Sequence, residues 1–244
     1  MKKYGIIGKS LVHSFSKKYF EDKFKNENIS DVEFLEFEIE NIEDIKALIK
    51  DHPELKGFSV TIPYKEAIIP FLDETDKVVQ EIGACNCVRI ENGKLIGYNT
   101  DTSGFLESFL TMYEMHYFKA IILGNGGASK AVIHALEELS IDSLIVARNP
   151  KNESEILWSD LNSKHFEDAN IIVNTTPLGT FPNIDEYPDI PYSEINRHFL
   201  AFDLVYNPEK TVFLQKAEKN GAKIINGYDM LQFQAEEAWE IWQK

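Results

Sequence analysis

Ile121-Ile122-Leu123-Gly124-Asn125-Gly126-Gly127-Ala128-Ser129 is an aliphatic run that breaks into glycine and resumes with small residues. The aliphatic residues predict a buried strand, and the glycines a tight turn whose backbone can approach a bound group. Ala128 and Ser129 are small enough for the next helix to pack closely on that strand. A pyrophosphate over such a turn meets free amides at the helix N-terminus. The segment therefore predicts dinucleotide binding, with Gly124 and Gly126 making the turn. An ordinary tight turn would also use glycine, but it would not need a strand before it and a helix after it.

About 20 residues further on, an NAD enzyme places an acidic residue on the ribose hydroxyls. This chain has Leu144-Ile145-Val146-Ala147-Arg148-Asn149, with Lys151 following. A guanidinium can hold a ribose 2′-phosphate through paired hydrogen bonds, so Arg148 favours NADP over NAD. Lys151 could serve the same phosphate or be a solvated loop charge.

The chain has 244 residues, 43% of them hydrophobic and 12% aromatic, enough for one large core or two modest ones. No stretch approaches the ~20 apolar residues of a membrane helix. A soluble, cytoplasmic protein is expected. The net charge of −15 argues against a nucleic-acid partner, which surplus Lys and Arg would hold. Residues 1–100 carry a net −4 and the remainder −11. An anionic ligand must therefore be held by local donors rather than by the overall field. Cys85 and Cys87 are the only cysteines, two apart and badly placed to bond each other, and read as buried thiols. The six histidines show no ligand spacing, so no metal is expected.

Working outward, strands are predicted at 4–8, 32–37 and 57–62, with helices from Ser16, over 42–50 and from Lys65. A second helix is read over 75–82. Strands at 85–90 and 94–98 flank Asn92-Gly93, a strong hairpin signal. A helix over 104–115 leads into strand 120–123. Helix 128–139 and strands 143–147, 170–174 and 200–204 continue the beat of a mostly parallel, doubly wound sheet. Residues 177–191 are proline-rich and read as loop. Helix 211–220, strand 223–225 and a final amphipathic helix from Gly227 complete the chain.

Three segments in the first half carry candidate chemistry. Ser14 and Ser16 precede a helix, where two hydroxyls and free amides can converge on an anion. Capping alone explains one serine. In Phe58-Ser59-Val60-Thr61-Ile62-Pro63-Tyr64-Lys65, proline ends the strand and leaves Thr61 and Lys65 near the carboxyl edge of the sheet, where open α/β sheets bind ligands. Lys65 by itself also fits a surface lysine, and Asp101 by itself fits a helix N-cap.

Taken together, the chain resembles the shikimate dehydrogenase family over nearly its whole length. The resemblance is carried by His13-Ser14-Phe15-Ser16, Val60-Thr61-Ile62-Pro63-Tyr64-Lys65-Glu66, Gly83-Ala84-Cys85-Asn86 and Gly97-Tyr98-Asn99-Thr100-Asp101. After the glycine turn it continues in Asn174-Thr175-Thr176-Pro177-Leu178-Gly179, Asp203-Leu204-Val205-Tyr206 and Gly227-Tyr228-Asp229-Met230-Leu231-Gln232-Phe233-Gln234. It implies reversible NADPH-dependent reduction of 3-dehydroshikimate to shikimate, a step toward chorismate and the aromatic amino acids. It further implies that Ser14 and Ser16 hold the substrate carboxylate and that Thr61, Asn86, Tyr206 and Gln234 contact the ring. Lys65 and Asp101 are the implied catalytic pair, Lys65 giving the ketone oxygen its proton as hydride is added and Asp101 orienting Lys65 and bonding a substrate hydroxyl. Cofactor contacts are implied at Gly124, Asn125, Gly126, Gly127, Ala128, Arg148, Lys151, Leu204 and Gly227. The implied architecture is an α/β substrate domain, residues 1–101 plus 227–244, and a Rossmann-type NADP-binding domain, residues 102–226. Its partners are small molecules, with neither nucleic acid nor membrane, and the chain acts as a monomer or homodimer.

Several positions depart from the family pattern. Ser59 stands where Asn is frequent, Leu204 where Met is frequent and Asp229 where Gly is frequent. Ala147 replaces the Asn that commonly precedes Arg148, removing a side chain from the adenosine end and loosening the expected NADP preference. A quinate/shikimate enzyme, a methylene-tetrahydrofolate dehydrogenase and a non-catalytic NADP sensor are the competing readings. The serine pair with Asn86, Asp101 and Gln234 suits a small polyhydroxylated acid better than a folate, and intact Lys65 and Asp101 oppose a sensor. If Arg148 selects the cofactor, Arg148→Ala weakens NADPH far more than NADH in fluorescence titrations; equal losses refute the assignment.

Overall fold

The computed structural model describes residues 1–12 and 14–244, so His13 of the serine segment lies outside the described residues. The chain divides into two compact units, Met1–Thr100 with Ala235–Lys244, and Asp101–Gln234.

The first unit contains β1 (Lys2–Gly8), α1 (Ser16–Asn26), β2 (Val32–Glu38), α2 (Ile45–Asp51), β3 (Leu55–Val60), α3 (Tyr64–Ala67), β4 (Glu74–Thr75), α4 (Lys77–Ile82), β5 (Cys87–Glu91) and β6 (Lys94–Tyr98). Among the described residues these strands form one sheet in the order β2-β1-β3-β5-β6-β4. β1 runs parallel to β2 and β3, and β5 antiparallel to β3 and β6. Being central, β1 is buried continuously from Tyr4 to Gly8, as a strand covered on both faces must be. Asn92 and Gly93 take φ of 51° and 80°, the left-handed pair that a tight hairpin between β5 and β6 requires. Asp76 caps α4 by accepting from Val79 N at 2.8 Å.

The second unit contains α5 (Asp101–Leu110), β7 (Lys119–Leu123), α6 (Gly127–Glu138), β8 (Asp142–Ala147), β9 (Glu155–Leu157), β10 (Ile171–Asn174), β11 (Leu200–Asp203), α7 (Val212–Lys219), β12 (Lys223–Ile225) and the start of α8 (Tyr228–Gln243). Its sheet is parallel throughout, in the order β12-β11-β10-β7-β8-β9. The chain winds outward from β7 in one direction, then returns to β10 and winds in the other. This is the doubly wound arrangement of dinucleotide-binding folds. Every residue of β10 and β11 is buried.

The units divide at 100/101 and 234/235, where the sequence reading set 101/102 and 226/227. Asp101 opens α5 and belongs with it, and Met230, early in α8, packs into the core of Phe105, Phe109 and Phe202. Later in α8, Ala235, Ala238, Ile241 and Trp242 join Tyr4, Phe20 and Phe34. Other elements also moved: α5 begins three residues before the expected Gly104, Thr75 lies in β4 rather than a helix, and Cys85 precedes β5. The short β9 was not foreseen.

The last turns of α8 close the first unit's aromatic core. The Trp242 ring stacks on Tyr4 at 5.3 Å and its Nε1 donates to Val88 O at 3.1 Å. Tyr19 donates to the Glu236 carboxylate, which also accepts from Lys23 Nζ at 2.6 Å. This packing needs a glycine at 57, because a Cβ there would lie 2.5 Å from Trp242 Nε1. Gly57→Ala therefore displaces the indole and lowers stability by about 1–3 kcal/mol, measured by denaturant unfolding. Unchanged stability with native tryptophan emission would show that the contact yields freely.

Candidate active site

At the end of β7 the backbone turns through Gly124, φ 115°, a left-handed conformation that only glycine adopts readily. Gly124 N donates to Val146 O at 2.8 Å, and a Cβ would stand 2.6 Å from Thr175 Oγ1. Gly126 precedes α6, which has no side-chain cap and no acidic residue in its first turn, and a Cβ on Gly126 would meet nothing within 4 Å. Open space over uncapped helix amides fits a pyrophosphate. Asn125, Gly127 and Ala128 complete the turn at partial exposure, and buried Ser129 donates to Gly126 O at 2.6 Å.

Arg148 and Lys151 lie exposed in the loop after β8. Lys151 Nζ donates to Asn125 O at 3.0 Å, so the structure brings this loop onto the glycine turn. Ala147, where the family commonly has Asn, is buried. Gly227 is also buried and donates to Val205 O at 3.2 Å; a Cβ there would run into the carbonyl of half-buried Leu204. Its absence lets the start of α8 lie against the chain leaving β11.

The sequence reading assigned no role to the buried group at this edge. Asn174 and Asp203 are register partners at the ends of β10 and β11. Asp203 Oδ1 accepts from Asn174 Nδ2 at 2.9 Å and from Val205 N at 3.0 Å, while Oδ2 meets Thr211 Oγ1 at 2.5 Å. Thr211 in turn caps α7 by accepting from Leu214 N. Burial raises the Asp203 carboxyl to about 7, against the opposing pull of these hydrogen bonds. Both residues stood in quoted motifs; pairing equal strand ends across the sheet was the signal that would have joined them.

In the same unit, Asp101 is only 5% exposed as the first residue of α5. Tyr206 is half-buried beyond β11. Gln234 donates to Leu231 O at 2.9 Å and packs beside Gly104, where a Cβ would lie 2.9 Å from Gln234 Cβ.

In the first unit, Ser14 Oγ accepts from Ser16 N at 3.4 Å and α1 has no side-chain cap at its N-cap residue, Phe15. The two serines are thus adjacent at an uncapped helix start. Ser14 also borders a cavity of about 410 Å³ lined, among the described residues, by Leu11, Val12, Glu36 and Glu38 as well. Thr61 follows β3 and is held through its amide to Ile7 O at 2.9 Å. Lys65 sits half-buried in α3, its carbonyl accepting from Cys85 N at 2.7 Å. Asn86 is buried and exchanges two hydrogen bonds with Thr100: Nδ2 to Oγ1 at 3.0 Å, and Thr100 N to Oδ1 at 2.7 Å. Its carbonyl accepts from Val60 N at 2.8 Å, fixing the residue beside the strand that leads to Thr61. Cys85 and Cys87 are buried and form no disulfide with each other, and burial pushes the Cys87 thiol well up. Among the described residues no cluster of three or more His, Cys, Asp or Glu could hold a metal ion, and no helix is long and apolar enough to cross a membrane.

Comparison with known proteins agrees with this geometry. Residues 6–88 match the family model described as the shikimate dehydrogenase substrate binding domain. A Clostridium botulinum protein named shikimate dehydrogenase (NADP(+)) is 39% identical, over 98% of this chain and 95% of its own length. Shikimate dehydrogenase 1 of Peptoclostridium difficile superposes with a TM-score of 0.87 at 33% identity, covering 100% of this chain and 92% of that one. The Thermus thermophilus shikimate 5-dehydrogenase, solved with NADP(H) and shikimate, gives 0.85 at 28% identity, covering 99% and 93%.

The raised Asp203 carboxyl has a definite sign in stability. Between the unfolded value near 4 and about 7, the unfolded chain releases this proton while the folded chain keeps it, so the group's contribution falls as pH rises. The loss amounts to at most roughly 4 kcal/mol and is complete above the folded value. In Asp203→Asn, whose amide resembles the protonated acid, this slope disappears. Denaturant unfolding of both proteins across pH 4 to 8 measures it, and a difference between them that does not vary with pH would refute the assignment.

Proposed function

Because this chain belongs to the shikimate dehydrogenase family, we propose that Lys65 and Asp101 carry the proton chemistry of its NADPH-dependent, reversible reduction of 3-dehydroshikimate to shikimate. The family's step lies on the route to chorismate and the aromatic amino acids. NADPH, when bound, supplies the hydride that converts a ring ketone to a hydroxyl. The chain's own residues must then bind the ring, exclude water and deliver one proton to oxygen.

Lys65 is the donor of that proton. An ammonium within hydrogen-bond reach of the carbonyl oxygen stabilises the developing negative charge and then neutralises it. In the reverse direction its neutral amine takes the proton back. Asp101 accepts from a substrate hydroxyl and is a fixed acceptor, being buried at the head of α5. Ser14 and Ser16 donate to the substrate carboxylate. Thr61, Asn86, Tyr206 and Gln234 bond the ring hydroxyls, with Asn86 kept in one orientation by Thr100.

The cofactor is NADP, held by the turn from Gly124 to Ala128 over the amides of α6, with Arg148 and Lys151 toward the 2′-phosphate and Leu204 and Gly227 toward the nicotinamide. The first unit is the substrate domain and the second the cofactor domain. Two buried thiols that form no disulfide suit a reducing compartment, and a cytoplasmic location belongs to this reading.

One observation carries this reading: a half-buried lysine in α3, the short helix after β3, and a buried aspartate at the start of α5 occur in the same chain as an open, uncapped glycine turn. Lys65→Ala should lower kcat for shikimate oxidation by about 10²- to 10⁴-fold while the dissociation constant for NADPH stays within twofold. Spectrophotometric assay with NADP+ or NAD+, against shikimate and then quinate, measures turnover. Near-normal turnover in the variant removes Lys65 from the mechanism, and absence of wild-type turnover with shikimate rejects the reaction.

A further inference from the structure

We infer that Glu155 is a specificity-determining residue that moderates the preference for a 2′-phosphate at the adenosine end of the cofactor site, an inference that rests on the NADP reading above. Glu155 opens β9 and pairs with Ile145 of β8. Its Oε2 accepts from Asn125 Nδ2 at 2.7 Å and from Lys151 N at 3.0 Å, and its Oε1 accepts from Asn152 Nδ2 at 3.1 Å. Asn125 Nδ2 donates in addition to Asn149 O at 3.0 Å. One carboxylate thus ties the second residue of the glycine turn to the loop that carries Arg148 and Lys151.

The position matters because of what each dinucleotide brings to it. A ribose 2′-hydroxyl is a donor and gains an acceptor in Glu155. A 2′-phosphate is an anion and meets a like charge there. Lys151 Nζ donates to Asn125 O and its own amide to Glu155, so the lysine is tethered to the glycine turn with its charge intact. NAD enzymes place their acid at the end of the second strand. Here that end carries buried Ala147 and exposed Arg148, and the acid comes from the neighbouring parallel strand. Reading along β8 alone therefore reports the cation and misses its opponent.

The test is calorimetric titration of the full chain with NADP+, NAD+, adenosine 2′,5′-bisphosphate and 5′-AMP, for wild type, Glu155→Gln and Glu155→Ala. Glu155→Gln keeps an acceptor for Asn125 or Lys151 while removing the charge. It should tighten NADP+ and the bisphosphate by roughly threefold to fivefold, leave NAD+ and 5′-AMP unchanged or weaker, and lose its gain at high salt. Glu155→Ala should shift the NADP+ to NAD+ ratio in the same direction. A ratio unchanged in both variants, or equal weakening of all four ligands, overturns the inference and makes Glu155 a loop tie only. If the wild-type chain binds neither NADP+ nor the bisphosphate, the cofactor reading fails as well, and the two failures are told apart.

Discussion

The rest of the second unit depends on the backbone at Gly124, which must turn with positive φ where no Cβ fits against Thr175. Thr175 cannot retreat, since its amide and its hydroxyl both donate to Leu123 O, at 3.0 and 2.8 Å. The end of β7 and the exit from β10 are therefore one joint. The chain departs from β7 toward β8 on one side and returns at β10 on the other, which is the topological switch point where open parallel sheets leave a crevice. A side chain at 124 would strain the turn and push β10 aside together. The dinucleotide site and the order of the sheet thus follow from the same steric fact.

A second layer of the same edge is electrostatic. Asp203 is fully enclosed, and an isolated buried carboxylate would be costly without donors. Asn174, Val205 and Thr211 supply them, linking β10, the chain leaving β11 and the cap of α7. Leu204 and Tyr206, proposed to face cofactor and substrate, are the immediate neighbours of this anchored segment. Their placement follows from a carboxyl wholly enclosed between the strand ends, which lets loop residues be held precisely.

Much of this architecture was legible in the sequence because the signals were local. The strands read at 120–123, 170–174 and 200–204 became central parallel strands, and Asn92-Gly93 became the hairpin turn. What escaped depended on non-local pairing. Glu155-Ile156-Leu157 is too short to show periodicity and is a strand only because β8 lies beside it. The start of α5 falls three residues before the expected Gly104, which is buried inside the helix where α8 approaches, with Met230 O 2.9 Å from a Cβ placed there. Asp203 stands in a family motif, yet its cross-strand partner Asn174 is 29 residues away in sequence. Lys65 and Asp101 could be named from residue type and family resemblance, whereas burial of one and partial exposure of the other required coordinates.

The charge of the chain sets different terms for its two proposed anionic ligands. A net charge of −15 repels both substrate and cofactor at long range, and salt screens that repulsion. Ser14 and Ser16 are neutral donors, so their hydrogen bonds to a carboxylate carry no salt-sensitive charge pair of their own. Screening therefore removes a penalty at the serine pair without removing an attraction there. At the adenosine end, Arg148 is an exposed cation with Glu155 across the same loop. Salt there weakens attraction and repulsion of the 2′-phosphate together, and what survives is the contribution of backbone amides at α6. A pyrophosphate at those amides would be common to both dinucleotides, so in the proposed site discrimination between NADP and NAD rests on the balance of side-chain charges around the 2′-position rather than on the glycine turn.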